Sequence, residues 1–141
     1  MRLELTRRTE LAIRAMRSLG DDEGLVPGQE LARRLEVSIH YLPQIMHPLV
    51  REGWVQSTPG KHGGYRRKVS LGSVSALQLI EAVEGATDTG RCVLKDGPCP
   101  DEEECALHFA WSRARAALMT ELGRTSLAEA VRTENPEQGR L

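Results

Sequence analysis

The stretch from Pro27 to Val69, "PGQELARRLEVSIHYLPQIMHPLVREGWVQSTPGKHGGYRRKV", constrains the fold more than any other part of the chain. Pro27 can open a short helix with Leu31, Ala32 and Leu35 on its inner face. A turn at Val37 follows. "EVSIHYLPQIMHPLVREG" predicts a second helix, with Ser38 as a good N-cap and Gly53 as a good stop. In "WVQSTPGKHGGYRRKVSL", Trp54, Val55, Tyr65 and Val69 flank a Pro/Gly turn, which predicts a β-hairpin with a basic tip. Short helix, turn, capped helix, basic hairpin is the order of a winged helix-turn-helix. The predicted fold is therefore mainly α, with a small β-hairpin wing.

In that geometry the second helix enters the major groove of DNA through its N-terminal residues. Here these are Ser38, His40, Tyr41 and Gln44, all able to hydrogen-bond base edges or phosphates. At the wing tip Lys61 and His62 stand among glycines that let the backbone approach a phosphate, with Arg66, Arg67 and Lys68 adding charge behind. Taken singly, His40 and Tyr41 could equally cap and pack; with the wing, DNA binding is favoured. Charge agrees: residues 1–68 carry 12 Lys/Arg against 8 Asp/Glu, and residues 69–141 carry 7 against 12. A polyanion would meet the first half. Two prolines disturb the helix. Pro43 falls near its first turn, where a missing N–H matters little, whereas Pro48 lies deeper and predicts a bend near Gln44.

The flanks are helical. In "TELAIRAMRSLG", Leu11, Ala12, Ala15, Met16 and Leu19 form a stripe that Gly20 ends. Ser75 and Gln78 make a capping box for "ALQLIEAVEG". At 141 residues the chain suits one compact unit or a small domain with an appended element. The start lacks the apolar run of a signal peptide and no stretch approaches a membrane span, so the expectation is a cytoplasmic protein with reduced thiols.

Every cysteine lies in "CVLKDGPCPDEEECALH", at 92, 99 and 105, with His108 three residues beyond the last. Gly97, Pro98 and Pro100 bend the chain so that it can wrap one object. Leu107, Ala110, Trp111, Ala114 and Leu118 form a further helical stripe that ends at Leu122-Gly123, placing Cys105 and His108 one turn apart. Three thiols and an imidazole favour zinc or an iron–sulfur cluster over buried or redox-active free thiols. Spacings wider than the usual CxxC pairs tilt the balance toward a cluster. An enzyme is not favoured: there is no CxxC, nucleophile elbow or phosphate loop, and "DEEE" at 101–104 reads as a solvated helix start.

These features together resemble the Rrf-two family of winged-helix iron–sulfur regulators, through "MRLELTRRTELAIRAM", "VSIHYLPQIM", "GKHGGY" and the three-cysteine loop. The resemblance covers nearly the whole chain. It implies a homodimer on a pseudo-palindromic operator, a long C-terminal dimerisation helix, and a cluster held by Cys92, Cys99 and Cys105. The implied plan is a winged helix-turn-helix at 1–72, a connecting helix and linker at 73–90, and a cluster-binding loop at 91–108. A dimerisation helix and C-terminal helix follow at 105–135, then a disordered tail at 136–141. IscR-like members use a histidine three residues after the last cysteine as fourth ligand, which His108 matches; a 2Fe–2S cluster is then implied. NsrR-like members bring an acid from the partner's first helix, matched by Glu10 with a 4Fe–4S cluster. The first is favoured. Thr58-Pro59 stands where IscR-like wings carry an arginine, so the operator read is expected to differ. A structural zinc on the same Cys₃His set is the alternative.

Overall fold

The computed structural model describes residues 1–99 and 105–132. Pro100, the acidic run at 101–104 and the expected tail at 136–141 lie outside the described residues, as does the end of the expected 105–135 region. Among the described residues there are six α-helices and one two-stranded antiparallel sheet. In chain order these are α1 (Arg7–Ser18), α2 (Gly28–Leu35), α3 (Leu42–Arg51), β1 (Val55–Thr58), β2 (Gly64–Arg67), α4 (Ala76–Glu84), α5 (His108–Arg124) and α6 (Leu127–Arg132). The chain is mainly α with a hairpin wing.

α1 begins at Thr6, whose hydroxyl accepts the Thr9 N–H, and buries Leu11, Ala12, Ala15 and Met16 completely. These meet Leu31 and Leu35 of α2 and Leu42, Ile45, Met46 and Leu49 of α3 in one core. Each fully buried leucine there contributes about 1.5–3 kcal/mol relative to exposure. The α2–α3 turn is a Schellman arrangement: Glu36 takes a left-handed conformation (φ 56°, ψ 41°) and the Val37 N–H reaches the Ala32 carbonyl at 3.0 Å. Glycine is the usual residue at such a position. Arg34 fastens α2 to the end of α1, donating to the Ser18 carbonyl (2.7 Å) and to Glu23 and Glu30. Arg33 and Arg34 hold the Glu30 carboxyl down at about 2.

Ser38 does not cap α3 directly. It caps a separate turn: its hydroxyl accepts the Tyr41 N–H (3.2 Å) and its carbonyl accepts those of Tyr41 and Leu42. The helix proper starts at Leu42 with Pro43 in its first turn and no side-chain cap. Pro43 has no N–H to carry the ladder back to Ile39, which separates the turn from the helix. α3 stays continuous through the buried Pro48.

The wing pairs Val55 with Arg67 through Thr58 with Gly64. Val26 joins it as a bridge, exchanging two backbone hydrogen bonds of 2.8 Å with Tyr65. The chains approach so closely there that a Cβ on Gly64 would lie 2.2 Å from the Val26 carbonyl oxygen. Arg67, expected as surface charge, is instead buried. Its guanidinium donates to the Leu19 carbonyl (2.8 Å) and the Val69 carbonyl (2.7 Å), and pairs with Asp21 (2.8 Å).

α4 carries the expected reciprocal capping box of Ser75 and Gln78. Its far end is held by side chains from two other helices. Arg8 of α1 donates to the Val83 carbonyl and Arg51 of α3 to that of Ala82, two of the carbonyls a helix end leaves unpaired. Glu84 accepts from the Thr9 hydroxyl (2.5 Å) and the Thr6 N–H (2.7 Å). α5 packs along α4 and continues through Leu122-Gly123 to Arg124, beyond its expected end. Cys105 precedes it in a turn, the His108 N–H reaching the Cys105 carbonyl at 3.0 Å. Past α5 the chain returns to the start of α4, where Ala76 and Leu127 bond the carbonyls of Thr125 and Val74.

Replacing Arg67 with Met should orphan two carbonyls and lower stability by roughly 2–4 kcal/mol, read as a reduced urea midpoint. Glu84 gives a pH test. Burial raises its carboxyl, but the hydrogen bonds from Thr9 and Thr6 and the charge of Arg8 outweigh this, and the net direction is down. A lowered carboxyl stabilises the fold above its unfolded value and loses that contribution as pH falls through the folded one. Glu84→Gln should therefore cost under about 1 kcal/mol near neutrality, because the group is exposed, and the gap from wild type should close toward pH 3. A constant gap across that range would exclude a charge-based role.

Candidate metal centre and nucleic-acid interface

Residues 90–99, between α4 and α5, form a small hairpin-like loop. Arg91 and Pro98 make an isolated antiparallel bridge, the Cys92 N–H reaches the Gly97 carbonyl (3.0 Å), and the Cys99 N–H reaches that of Gly90 (3.3 Å). Pairing across this hairpin sets Cys92 beside Cys99. The turn leading into α5 supplies Cys105. As a result the three Sγ atoms lie within 4.8 Å of one another, and all three thiols are free and half-buried.

The sulfurs sit in unlike surroundings. Backbone N–H groups of Leu94 and Lys95 point at the Cys92 sulfur and lower its thiol. Cys99 also receives an N–H, from Cys105, but desolvation and the neighbouring Cys105 sulfur outweigh it and push the thiol up. N–H groups aimed at sulfur suit thiolate ligands.

His108, the first residue of α5, places Nδ1 3.2 Å from the Cys99 Sγ, at the edge of the sulfur trio. The three cysteines and His108 line a cavity of about 240 Å³ shared with Asp88, Trp111, Ser112 and Arg115. The donor set is soft to borderline and fits zinc or an iron–sulfur cluster. Glu10 does not line this cavity; it lies exposed on α1, 3.5 Å from Arg14 one turn away. Asp88 and Arg115 were missed in the sequence reading. The available signal was spacing: His108, Trp111, Ser112 and Arg115 recur at three, four and seven residues and so share one helix face.

The expected stripe on α5 is one face, covered at Trp111 and open along the rest. Trp111 is half-buried beside the cavity, whereas Leu107 and Leu118 are exposed, with Ala110 and Ala114 on the same open side. Phe109 is 58% exposed.

At the end of the molecule that carries α3 and the wing, Ser38, His40, Gln44 and His47 are exposed around the start of α3, with Lys61 and His62 exposed at the wing tip. Tyr41 is half-buried and packs on the core. The Ser38 hydroxyl is occupied in its turn as an acceptor. Arg66 donates to Gln56 across the hairpin at 2.8 Å. His47 was missed; its spacing of three from Gln44 puts it on the same helix face.

Residues 5–133 match the sequence model of the family described as "Rrf2: Iron-dependent Transcriptional regulator". The HTH-type transcriptional regulator IscR of Xenorhabdus nematophila is 31% identical over 134 residues, which cover 94% of this chain and 81% of that protein. The Klebsiella pneumoniae protein of the same name is also 31% identical, with 94% and 82% covered. Among solved structures, CymR of B. subtilis, titled a global cysteine regulator, superposes with a TM-score of 0.69 at 24% identity, covering 95% of this chain and all of that one. T. potens IscR gives 0.69 at 20% identity over 99% and 93%. No helix among the described residues is long and apolar enough to cross a membrane. With a matching family model over most of its length and a winged-helix fold shared with solved regulators, the chain belongs to the Rrf2 family of transcriptional regulators, which are DNA-binding proteins and not enzymes.

Proposed function

We propose that this regulator, probing DNA as a cytoplasmic homodimer, has its operator affinity set by an iron–sulfur cluster held by Cys92, Cys99, Cys105 and His108. The observation that carries the reading is the convergence of three Sγ atoms within 4.8 Å, with the His108 Nδ1 3.2 Å from one of them. The His108 position favours the 2Fe–2S form; a 4Fe–4S form with Glu10 from the partner is the second candidate. When bound, the cluster supplies a centre whose charge and integrity respond to oxidants, nitric oxide, iron or cluster supply.

The chain's own residues supply the rest. The loop leaves α4 at Gly85, and the end of α4 is bonded to α1 through Arg8 and to α3 through Arg51. A rearrangement of the loop therefore reaches α3, the helix that reads DNA, directly through Arg51, and α1 through Arg8. The exposed side of α5, with Leu107, Ala110, Ala114 and Leu118, is the surface offered to a second copy. Two-fold pairing would set the recognition helices about 34 Å apart, or a multiple of it, on a pseudo-palindromic operator. Repression is the expected mode.

A structural zinc is the second reading, and the compactness of the sulfurs favours it. Thiolates on one tetrahedral zinc at about 2.3 Å stand roughly 3.8 Å apart, inside the observed limit. Absorption of anaerobically purified protein separates the two, since clusters are coloured and zinc is not. Single Cys92→Ala, Cys99→Ala or Cys105→Ala variants should stay folded yet lose the cluster. His108→Ala should perturb the spectrum more than Glu10→Ala. Stoichiometric iron and sulfide in all three cysteine variants would sink the assignment.

DNA binding makes a separate claim. Gln44→Ala should weaken operator binding selectively, by about 1–3 kcal/mol, whereas Lys61→Ala should weaken operator and random duplex alike and lower the salt slope by about one. Tyr41→Ala should show the selective loss too, accompanied by lower stability because its ring packs on the core. Equal losses on both duplexes for Gln44→Ala would show that α3 does not read sequence.

A further inference from the structure

We infer that Asp88 and Arg115 are positioning residues for the cysteine centre, an ion pair that docks the loop bearing Cys92 and Cys99 onto the helix bearing His108. The inference rests on reading the cysteines as metal ligands, and concerns how the chain prepares their geometry.

Asp88 stands at the foot of the loop. Its Oδ1 accepts the Gly90 N–H at 3.0 Å and the Arg115 Nη1–H at 3.0 Å. Gly90 holds a left-handed conformation (φ 70°), and its carbonyl accepts the Cys99 N–H. Asp88 thus fixes the residue on which Cys99 hangs. Arg115 follows His108 by seven residues, two helical turns along the same face, and its side chain is only 20% exposed. Among the described residues, side-chain contacts of the Cys99–His108 and Asp88–Arg115 pairs join the loop to the helix at two points. One point would leave the loop free to swing about the helix; two fix its orientation.

A half-exposed ion pair contributes little to global stability, so its effect belongs in the site and not in the fold. Groups that orient metal ligands without touching the metal commonly change affinity by about 10–100-fold. A second ion pair provides an internal contrast. Arg91 and Asp96 meet at 2.6 Å within the loop itself, highly exposed, and that pair does not reach α5.

The test titrates Co²⁺ into full-length, reduced, metal-free protein under anaerobic conditions and follows the thiolate-to-cobalt charge-transfer band. Arg115→Ala and Asp88→Ala should each weaken Co²⁺ binding by about 10-fold and alter the band's intensity. The double variant should lose no more than the worse single one, because one interaction is being removed. Arg115→Lys should recover most of the affinity, and Asp96→Asn should match wild type. Circular dichroism and thermal midpoint should stay unchanged throughout. Arg115→Ala binding within about twofold of wild type would overturn the inference, as would losses that multiply in the double variant or a fall in helicity that tracks the weakening. Failure of the underlying reading looks different: wild type would show no thiolate band, or Cys92→Ala would titrate like wild type, and the inference would fall with it.

Discussion

The wing is held in place by one buried cation. Taking a guanidinium out of water is costly unless its fixed donors all find acceptors. Arg67 finds them in the Leu19 carbonyl at the end of α1, the Val69 carbonyl beyond β2, and the Asp21 carboxylate. Those groups belong to two separate stretches of chain, 19–21 and the residues just past β2, so the arginine fixes the base of the wing against the first helix. The Val26–Tyr65 bridge fixes it again on the other side, at a separation only Gly64 tolerates. The wing tip has almost no core of its own: Pro59, Gly60, Lys61 and His62 are all exposed. Its position relative to α3 is set by backbone pairing and this cation, and a helix and wing proposed to grip one duplex would need that position fixed.

α4 is the junction between this winged-helix unit and the cysteine loop. Its first turn closes on itself through the capping box, while its last turn is closed by other elements: Arg8, Arg51 and the pair Thr6 and Thr9. The loop begins at once, with the Gly85 N–H on the Glu81 carbonyl and the Thr87 N–H on the Glu81 carboxylate. A contiguous set of hydrogen bonds therefore runs from the loop's foot to both α1 and α3. Contiguity alone does not make a switch; coupling requires that the loop have two arrangements to which α4 responds differently.

Periodicity and capping made most of the helices legible. The stripe of α1 and the capping box of α4 depend only on local spacing, and spacing is what a sequence displays. Three features were not legible, each for a physical reason. Arg67 sits between Arg66 and Lys68 and reads as surface charge, because its acceptors lie far away along the chain, with Leu19 48 residues back. The start of α3 shifted because Pro43 interrupts the ladder that Ser38 begins, so that a good cap serves a turn in front of the helix. On α5 Trp111 and Leu118 stand on one apolar stripe, and only packing against α4 and the loop decides which of them is covered. For the cysteine cluster the residue types were legible, whereas the contact between Asp88 and Arg115 was hidden by its 27-residue separation.

The loop's composition explains why such tethers matter. Its large apolar residues, Val93 and Leu94, point to solvent, so hydrophobic burial does little to order it. What orders it is a short backbone ladder, the Asp88–Arg115 pair and the meeting of the sulfurs. That last contact is unfavourable once the thiols ionise, since like charges would crowd within 4.8 Å. The opposed shifts of Cys92 and Cys99 express this: N–H groups ease ionisation of one, while desolvation and a neighbouring sulfur resist it at the other. A cationic centre bound at the trio would turn that repulsion into attraction for all three sulfurs at once. The loop is therefore held together by hydrogen bonds strong enough to gather the ligands and too few to make a bound centre irrelevant to its shape, which is the condition under which gaining or losing that centre can change the conformation of the chain.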